Sequence, residues 1–465
     1  MNKTKDIDEK VSYHPEYHIA PVKGWMNDPN GLVFFKGYYH VFFQYYPHKP
    51  EWGPMHWGHK RSKDLIHWEE LPVALAPGNV EDEDGVFSGS AIVKDEKLWL
   101  VYTGHHYYDK KDKNKFWQNQ NLAYSEDGIS FRKYEYNPII SGPPMDSTHH
   151  FRDPKIWRHD DKFYIVLGNQ TQNLNGRALR YSSDDMFHWR LDGTLAQSRC
   201  TKIEGNMWEC PDFFAINNKF ILLCSPMGIE NQEHKFKNLF QTGYFVGKYN
   251  YKNNVFRDSS DFLELDSGHD FYAAQTMLAP DGRRILFAWA SMWESEFKEQ
   301  REGWAGMMCL PRNLIEKNNH LYMQPISEMN NLRTKLLNRG KLVSGTILSR
   351  NLSAAEVSFT IKKSLSFTII LNDNRQHRIL TLHYNNEKNV FTLSHVDHKD
   401  DDRYVKINSS DYLKLDFFID KSSVEIFIQN GEAVFTERYY ASPLGISILA
   451  NHKINGEFVT YALGM

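Results

Sequence analysis

LVFFKGYYHVFFQ (32–44), AIVKDEKLWLVYTG (91–104), KIWRHDDKFYIVLG (155–168), FFAINNKFILLC (213–224) and TMLAPDGRRILFAWA (276–290) are five versions of one pattern: an apolar run, a polar turn and a second apolar run. Each reads as two antiparallel strands joined at Lys36-Gly37, Asp95-Glu96, Asp160-Asp161, Asn217-Asn218 or Asp281-Gly282. The copies recur roughly every 60 residues, a spacing that marks a repeated supersecondary unit. Three of them are followed by a second recurring element, Ser62-Lys63-Asp64 with Trp68, Ser125-Glu126-Asp127 with Phe131, and Ser183-Asp184-Asp185 with Trp189. A polar turn leading into an outer strand explains that spacing. Hairpin plus outer element makes a four-stranded blade, and five blades close a ring around a central channel. The prediction is an all-β chain whose residues 1–325 form a five-bladed β-propeller.

The pattern changes after about residue 320. SEMNNLRTKLL (327–337) spaces Met329, Leu332, Leu336 and Leu337 along one side of a short helix, which predicts a linker over 326–340. From 341 to 465, runs such as VSFTIKK, SFTIIL, RILTLHY and SSVEIFIQ alternate between polar turns and predict an antiparallel β-sandwich. HKDDDRY (398–404) reads as a solvated acidic loop.

Composition narrows the function classes. With 55 basic and 58 acidic side chains mixed along 465 residues, the chain carries no electrostatic footprint for nucleic acid or an anionic membrane. A small molecule is the expected partner. Cys200, Cys210, Cys224 and Cys309 are too few for a disulfide scaffold and suit buried free thiols in a reducing compartment. MNKTKDIDEK is charged with no apolar stretch behind it, so neither a signal peptide nor a membrane span is read there, and a cytoplasmic location is expected.

In the repeat, the residues just before each first strand occupy equivalent places near the channel mouth. They are Asn27-Asp28-Pro29, Phe87-Ser88, Arg152-Asp153-Pro154, Glu209-Cys210-Pro211 and Phe271-Tyr272. Three of five blades thus aim a carboxylate at one cavity. Taken singly, each has an ordinary explanation: DPNG is a turn signal, Arg152-Asp153 an ion pair, Glu209 a solvated strand end. Together they repel and desolvate one another, a cost that a purely structural arrangement has no reason to keep. A divalent cation is the competing use of three carboxylates, but no spaced Asp/Asn ligand loop is present. His48, His56 and His59 lack zinc-site spacing, and no GxSxG elbow occurs, so no metal or cofactor is expected.

Surroundings then suggest roles. Glu209, flanked by Met207, Trp208, Cys210 and Phe213, should have its pKa raised by desolvation and act as a general acid. Asp28, among Asn27, Asn30 and turn amides, should stay ionised as a nucleophile. Asp153, held by Arg152, is left to hydrogen-bond a sugar as oxocarbenium character develops.

WMNDPNGL (25–32), FFQYYP (42–47), WGPMHWGH (52–59), FSGSA (87–91), FRDPK (151–155), MWECPDFF (207–214) and DFYAAQT (270–276) occur in an order that resembles glycoside hydrolase family 32, the invertase and sucrose-6-phosphate hydrolase group. The resemblance covers nearly the whole chain. It implies a retaining β-fructofuranosidase with Asp28 as nucleophile, Asp153 as transition-state stabiliser and Glu209 as acid/base. It further places Trp25, Asn27, Gln44, Trp52, Phe87, Ser88, Arg152, Tyr272 and Trp289 around the fructosyl ring. Ala274 stands where the family has proline, and Ala288 where it has glycine. Sucrose and its 6-phosphate are both open as substrates, with Lys60, Arg61, His105, His106 and Arg301 as candidate phosphate contacts. An exo-acting fructanase and a non-catalytic sugar-binding propeller are the alternatives.

Overall fold

The computed structural model of the chain describes residues 12–258, 260–363 and 365–465. The N-terminal stretch MNKTKDIDEK, on which the reading of the leader rests, lies outside these residues. The molecule is nearly all-β, with five antiparallel sheets before residue 326 and two after it among the described residues. The arrangement is that of an N-terminal propeller followed by a C-terminal sandwich.

The five quoted hairpins are the first two strands of the five N-terminal sheets. Their turns need the left-handed backbone that the sequence allows: Lys36, Asp95, Glu96, Asp160 and Asn217 have φ between 46° and 58°. Each innermost strand is buried on both sides, and neighbouring innermost strands touch in cyclic order. Gly24–Phe35 meets Gly85–Lys94, then Ser147–His159, Met207–Ile216 and Tyr272–Leu278 follow, and the last returns to Gly24–Phe35. Trp304–Ala305 adds a short parallel strand to the first sheet, so a later piece of chain ties the ring shut.

The Ser-x-Asp element works as a repeated turn. Asp64 accepts hydrogen bonds from the amides of Ile66 and His67 at 3.2 and 2.9 Å, Asp127 from Ile129 and Ser130 at 2.8 Å each, and Asp185 from Phe187 and His188 at 2.8 and 2.9 Å. The carboxylate thereby satisfies amides that the turn leaves unpaired.

Beyond residue 325 the structure departs from the predicted helical linker. Ser327–Leu332 is a single 3-10 stretch, and Arg333–Lys341 is an edge strand of the first sandwich sheet, paired with Gly456–Leu463. Met329 and Leu332 are buried, but Leu336 and Leu337 are exposed. The spacing of two apolar residues inside the 3-10 turn and two on an open edge merely imitated a helical face. The sandwich packs two six-stranded sheets around Val357, Phe359, Leu382, Phe417, Ile446 and Ile448.

Propeller and sandwich meet through buried charge. Arg312, from the fifth sheet, reaches Asp266 at 2.8 Å and Glu425 at 2.7 Å, and Glu425 also contacts His18, which in turn pairs with Asp420 at 2.8 Å. HKDDDRY is a loop only to residue 402, since Arg403–Lys406 is a strand, and it is not merely solvated: Lys237 pairs with Asp401 at 2.9 Å and His398 stacks on His269 at 3.9 Å. No described helix is long and apolar enough to cross a membrane.

Candidate active site

All five innermost strands carry a register shift at the same end: between Met26 and Pro29, Phe87 and Gly89, Arg152 and Lys155, Glu209 and Asp212, and Tyr272 and Gln275. An inserted residue bends a strand and re-aims the side chain beside it. Asp153, Cys210 and Ala273 take φ of 64°, 48° and 57° at these points, and a proline that needs no ladder donor sits in three of the five. Asp28, Ser88, Asp153, Glu209 and Tyr272 are therefore brought to one end of the ring by a shared backbone device.

There they form one connected cluster. Asp28 accepts hydrogen bonds from Asn27 Nδ2 at 3.0 Å and Ser88 Oγ at 2.7 Å, and Cys210 Sγ lies 3.6 Å from its Oδ2. The backbone amide of Cys210 donates to Asp153 Oδ2 at 2.9 Å. Glu209 Oε1 accepts from Arg152 Nε and Nη2 at 3.0 and 2.7 Å, and its Oε2 from the Tyr272 hydroxyl. On the same strand as Asp153, Lys155 pairs with buried Asp212 at 2.8 Å.

Two expectations about these groups need correction. Arg152 hydrogen-bonds Glu209 from the neighbouring sheet rather than Asp153, because the bulge turns Asp153, at φ 64°, toward the Cys210 amide instead. The apolar neighbours of Glu209 also turn away from its carboxylate: Trp208 packs on Phe245 and donates to the Glu204 carbonyl. Glu209 thus meets a guanidinium and a phenol rather than a dry apolar wall.

Enclosure by protein raises the pKa of Asp28, and the charge of Glu209 adds to it, against the hydrogen bonds from Asn27 and Ser88. Burial pushes Asp153 up to about 7, with Arg152 opposing and Glu209 and Asp28 reinforcing. Three carboxylates thus share one enclosed site with a single guanidinium. Such a site can protonate a leaving group and attack the carbon it leaves.

The expected binding residues surround this cluster. Trp25 donates Nε1 to Asn27 at 2.8 Å and packs with buried Trp289. Gln44 is fixed by the Val86 carbonyl at 3.0 Å. Trp52, 41 % exposed, meets Phe87 edge-on at the rim, the open aromatic surface a sugar can stack against. Ala274 and Ala288 are both buried behind Tyr272 and Trp289.

The candidate phosphate contacts do not converge. Lys60 and Arg61 pair with Glu70 and Glu69 across their own sheet, Arg301 lies over Tyr13, and His106 stacks on Trp117. Only His105 adjoins the site, stacked on Phe87 at 4.2 Å. His59 packs in the first sheet against His40 at 2.9 Å and does not reach a metal-like cluster with His48 or His56. Sequence reading missed Trp293 and Phe297, which pack on Trp25, and His150, which contacts Arg152. The doubled aromatics of MWESEF (292–297) and the His-His pair before FRDPK were the available signals.

A model described as the N-terminal domain of glycosyl hydrolases family 32 matches residues 18–325, and one for the C-terminal domain matches residues 323–462. A sucrose-6-phosphate hydrolase of Escherichia coli is 39% identical over 459 residues, covering 95% of this chain and 93% of that protein. Among solved structures, a GH32 beta-fructofuranosidase of Bombyx mori superposes with a TM-score of 0.87 at 36% identity, covering 97% of this chain and 94% of the other. A mutant of that protein has been solved in complex with sucrose. The sucrose-6-phosphate hydrolase of Lactobacillus gasseri gives a TM-score of 0.88 at 30% identity over 97% of this chain and 94% of its own.

Proposed function

The chain belongs to glycosyl hydrolase family 32 and is a glycoside hydrolase, and from that premise we propose that it releases fructose from the non-reducing β-D-fructofuranosyl end of sucrose or sucrose 6-phosphate with retention of configuration. One observation carries the reading: Asp28, Asp153 and Glu209, brought from three sheets, meet around Cys210 and Arg152. Protonated Glu209 gives its proton to the glycosidic oxygen as Asp28 attacks the anomeric carbon. Glucose or its 6-phosphate leaves, and a fructosyl ester forms on Asp28. Glu209, now ionised, takes a proton from water, whose oxygen attacks the same carbon and frees Asp28 and fructose. Asp153 hydrogen-bonds the sugar hydroxyls as positive charge develops on the ring.

Arg152 and Tyr272 hold Glu209 in line with the scissile oxygen. Trp25, Asn27, Gln44, Trp52, Phe87, Ser88 and Trp289 shape the fructosyl site. The cyclic contacts of the innermost strands support reading the five N-terminal sheets as five propeller blades over 1–325. The sandwich domain takes Arg333–Lys341 as its first strand. A cytoplasmic location agrees with the free thiols, of which Cys210, Cys224 and Cys309 are buried as expected, whereas Cys200 is exposed. Measuring kcat/KM for sucrose and for sucrose 6-phosphate on purified protein tests the reading. Glucose or glucose 6-phosphate release supports it, and no release from either overturns it.

A further inference from the structure

His150 lies two residues before Arg152 on the strand Ser147–His159, and the activity as described leaves it without a task. Its Nδ1 is 2.8 Å from Arg152 Nη1. A guanidinium only donates, so Nδ1 accepts and the imidazole is the neutral tautomer with its proton on Nε2. The same guanidinium aims Nε and Nη2 at Glu209 Oε1. Arg152 is therefore gripped at both ends of its plane, by a neutral acceptor on one side and a carboxylate on the other.

The grip is itself braced. Asn169 Nδ2 donates to the His150 carbonyl at 2.6 Å, and the His150 ring packs against Phe116 and His149 with centroids 5.4 and 4.5 Å away. Burial, together with the charges of Arg152 and His149, pushes the His150 pKa down to about 2, so it stays an acceptor at every pH at which the protein works.

We propose that His150 is a positioning residue of the hydrolysis: it locks the Arg152 guanidinium onto Glu209, and the pH profile of the reaction depends on that grip. This rests on the acid/base role of Glu209 proposed above. The groups that share the balance are His105, His149 and Asp153 around Arg152, and Asp28, Asp153, Cys210 and Tyr272 around Glu209. Loosening a cation from a site that donates a proton moves the alkaline limb of the pH profile up, so the limb reads how firmly Arg152 is held.

The side-chain polar atom of asparagine falls near the position of a histidine Nδ1, and that of glutamine near Nε2. His150→Asn keeps an acceptor for Arg152, and His150→Gln moves it away, while both remain polar. The expected result is that the alkaline limb of kcat/KM for sucrose moves up by about one pH unit in His150→Gln and stays in place in His150→Asn. At the optimum, His150→Gln is expected to lose about tenfold in kcat with little change in KM. Limbs that coincide in the wild type and His150→Gln, or that shift equally in both variants, overturn the proposal. Should His150→Gln not fold, His150→Phe, which keeps the ring contacts and removes the acceptor, must show the same upward shift or the proposal falls. A wild type without fructoside hydrolysis sinks the function itself, a failure separate from an active wild type whose limb His150 does not govern.

Discussion

At the scale of single residues, the account depends on unequal treatment of three carboxylates. Asp28→Asn removes the attacking oxygen and should lower kcat by about 10³-fold or more with little change in KM for sucrose, measured by glucose release. Glu209→Ala should lose far more rate on sucrose than on a fructoside with an activated leaving group, because only the poor leaving group needs the proton. Equal losses would remove Glu209 from the acid role. Ser88 donates to Asp28 and favours its ionised form, so Ser88→Ala should raise the pKa of Asp28 and move the acid limb of kcat/KM to higher pH. The identity of the carboxylates was legible in the sequence because each stands at one register of a fivefold repeat. Their pairing was not. Arg152 is written next to Asp153, and only the bulge at that point of the strand turns the two apart and leaves Arg152 to Glu209 on another sheet.

At the scale of elements, the bulged ends of the innermost strands and the buried joints between them carry the design. Gly89 closes the bulge behind Ser88, and a Cβ there would come within 2.0 Å of the Val101 carbonyl oxygen. Gly89→Ala should therefore cost about 2–4 kcal/mol in denaturant unfolding and displace Ser88 from Asp28. His18 joins the N-terminal segment to the sandwich strands Tyr412–Asp420 and Ser423–Ile428. Burial disfavours its charge, but hydrogen bonds to Asp420 and Glu425 overcome that and push its pKa up to about 9. A raised pKa gives stability that is complete below pH 6.5 and fades as pH rises through 9. His18→Gln should thus destabilise by about 3 kcal/mol at pH 6 and by progressively less as the pH climbs from 6.5 to 9, read from urea midpoints. Hairpins and Ser-x-Asp turns were legible because local chemistry alone sets them. The stretch 327–337 was not, because four apolar residues at helical spacing divide between a 3-10 turn and an exposed edge.

At the scale of the whole molecule, the sandwich is part of the propeller's core rather than an appendage. Arg312 has no exposed surface, and its partner Glu425 and the Thr436 hydroxyl belong to the sandwich. Residues 12–325 expressed without the sandwich would leave Arg312 without Glu425 and Asp266 without the Thr436 amide and hydroxyl, and buried charge stripped of partners is strongly destabilising. That fragment should lack a cooperative thermal transition, and a fragment melting like the full chain would contradict this. None of the interface was legible in advance, since nothing in the sequence marks Asp266 and Glu425 as partners of Arg312 until the sheets that bury them are assembled.

The central claim is that Asp28 attacks while Glu209 supplies the proton. Glu209→Gln, mixed with a fructoside bearing an activated leaving group and quenched in acid within a turnover, can be digested and weighed peptide by peptide. The account predicts one fructosyl unit on the peptide that carries Asp28. No adduct, or an adduct on the peptide carrying Asp153, would contradict it.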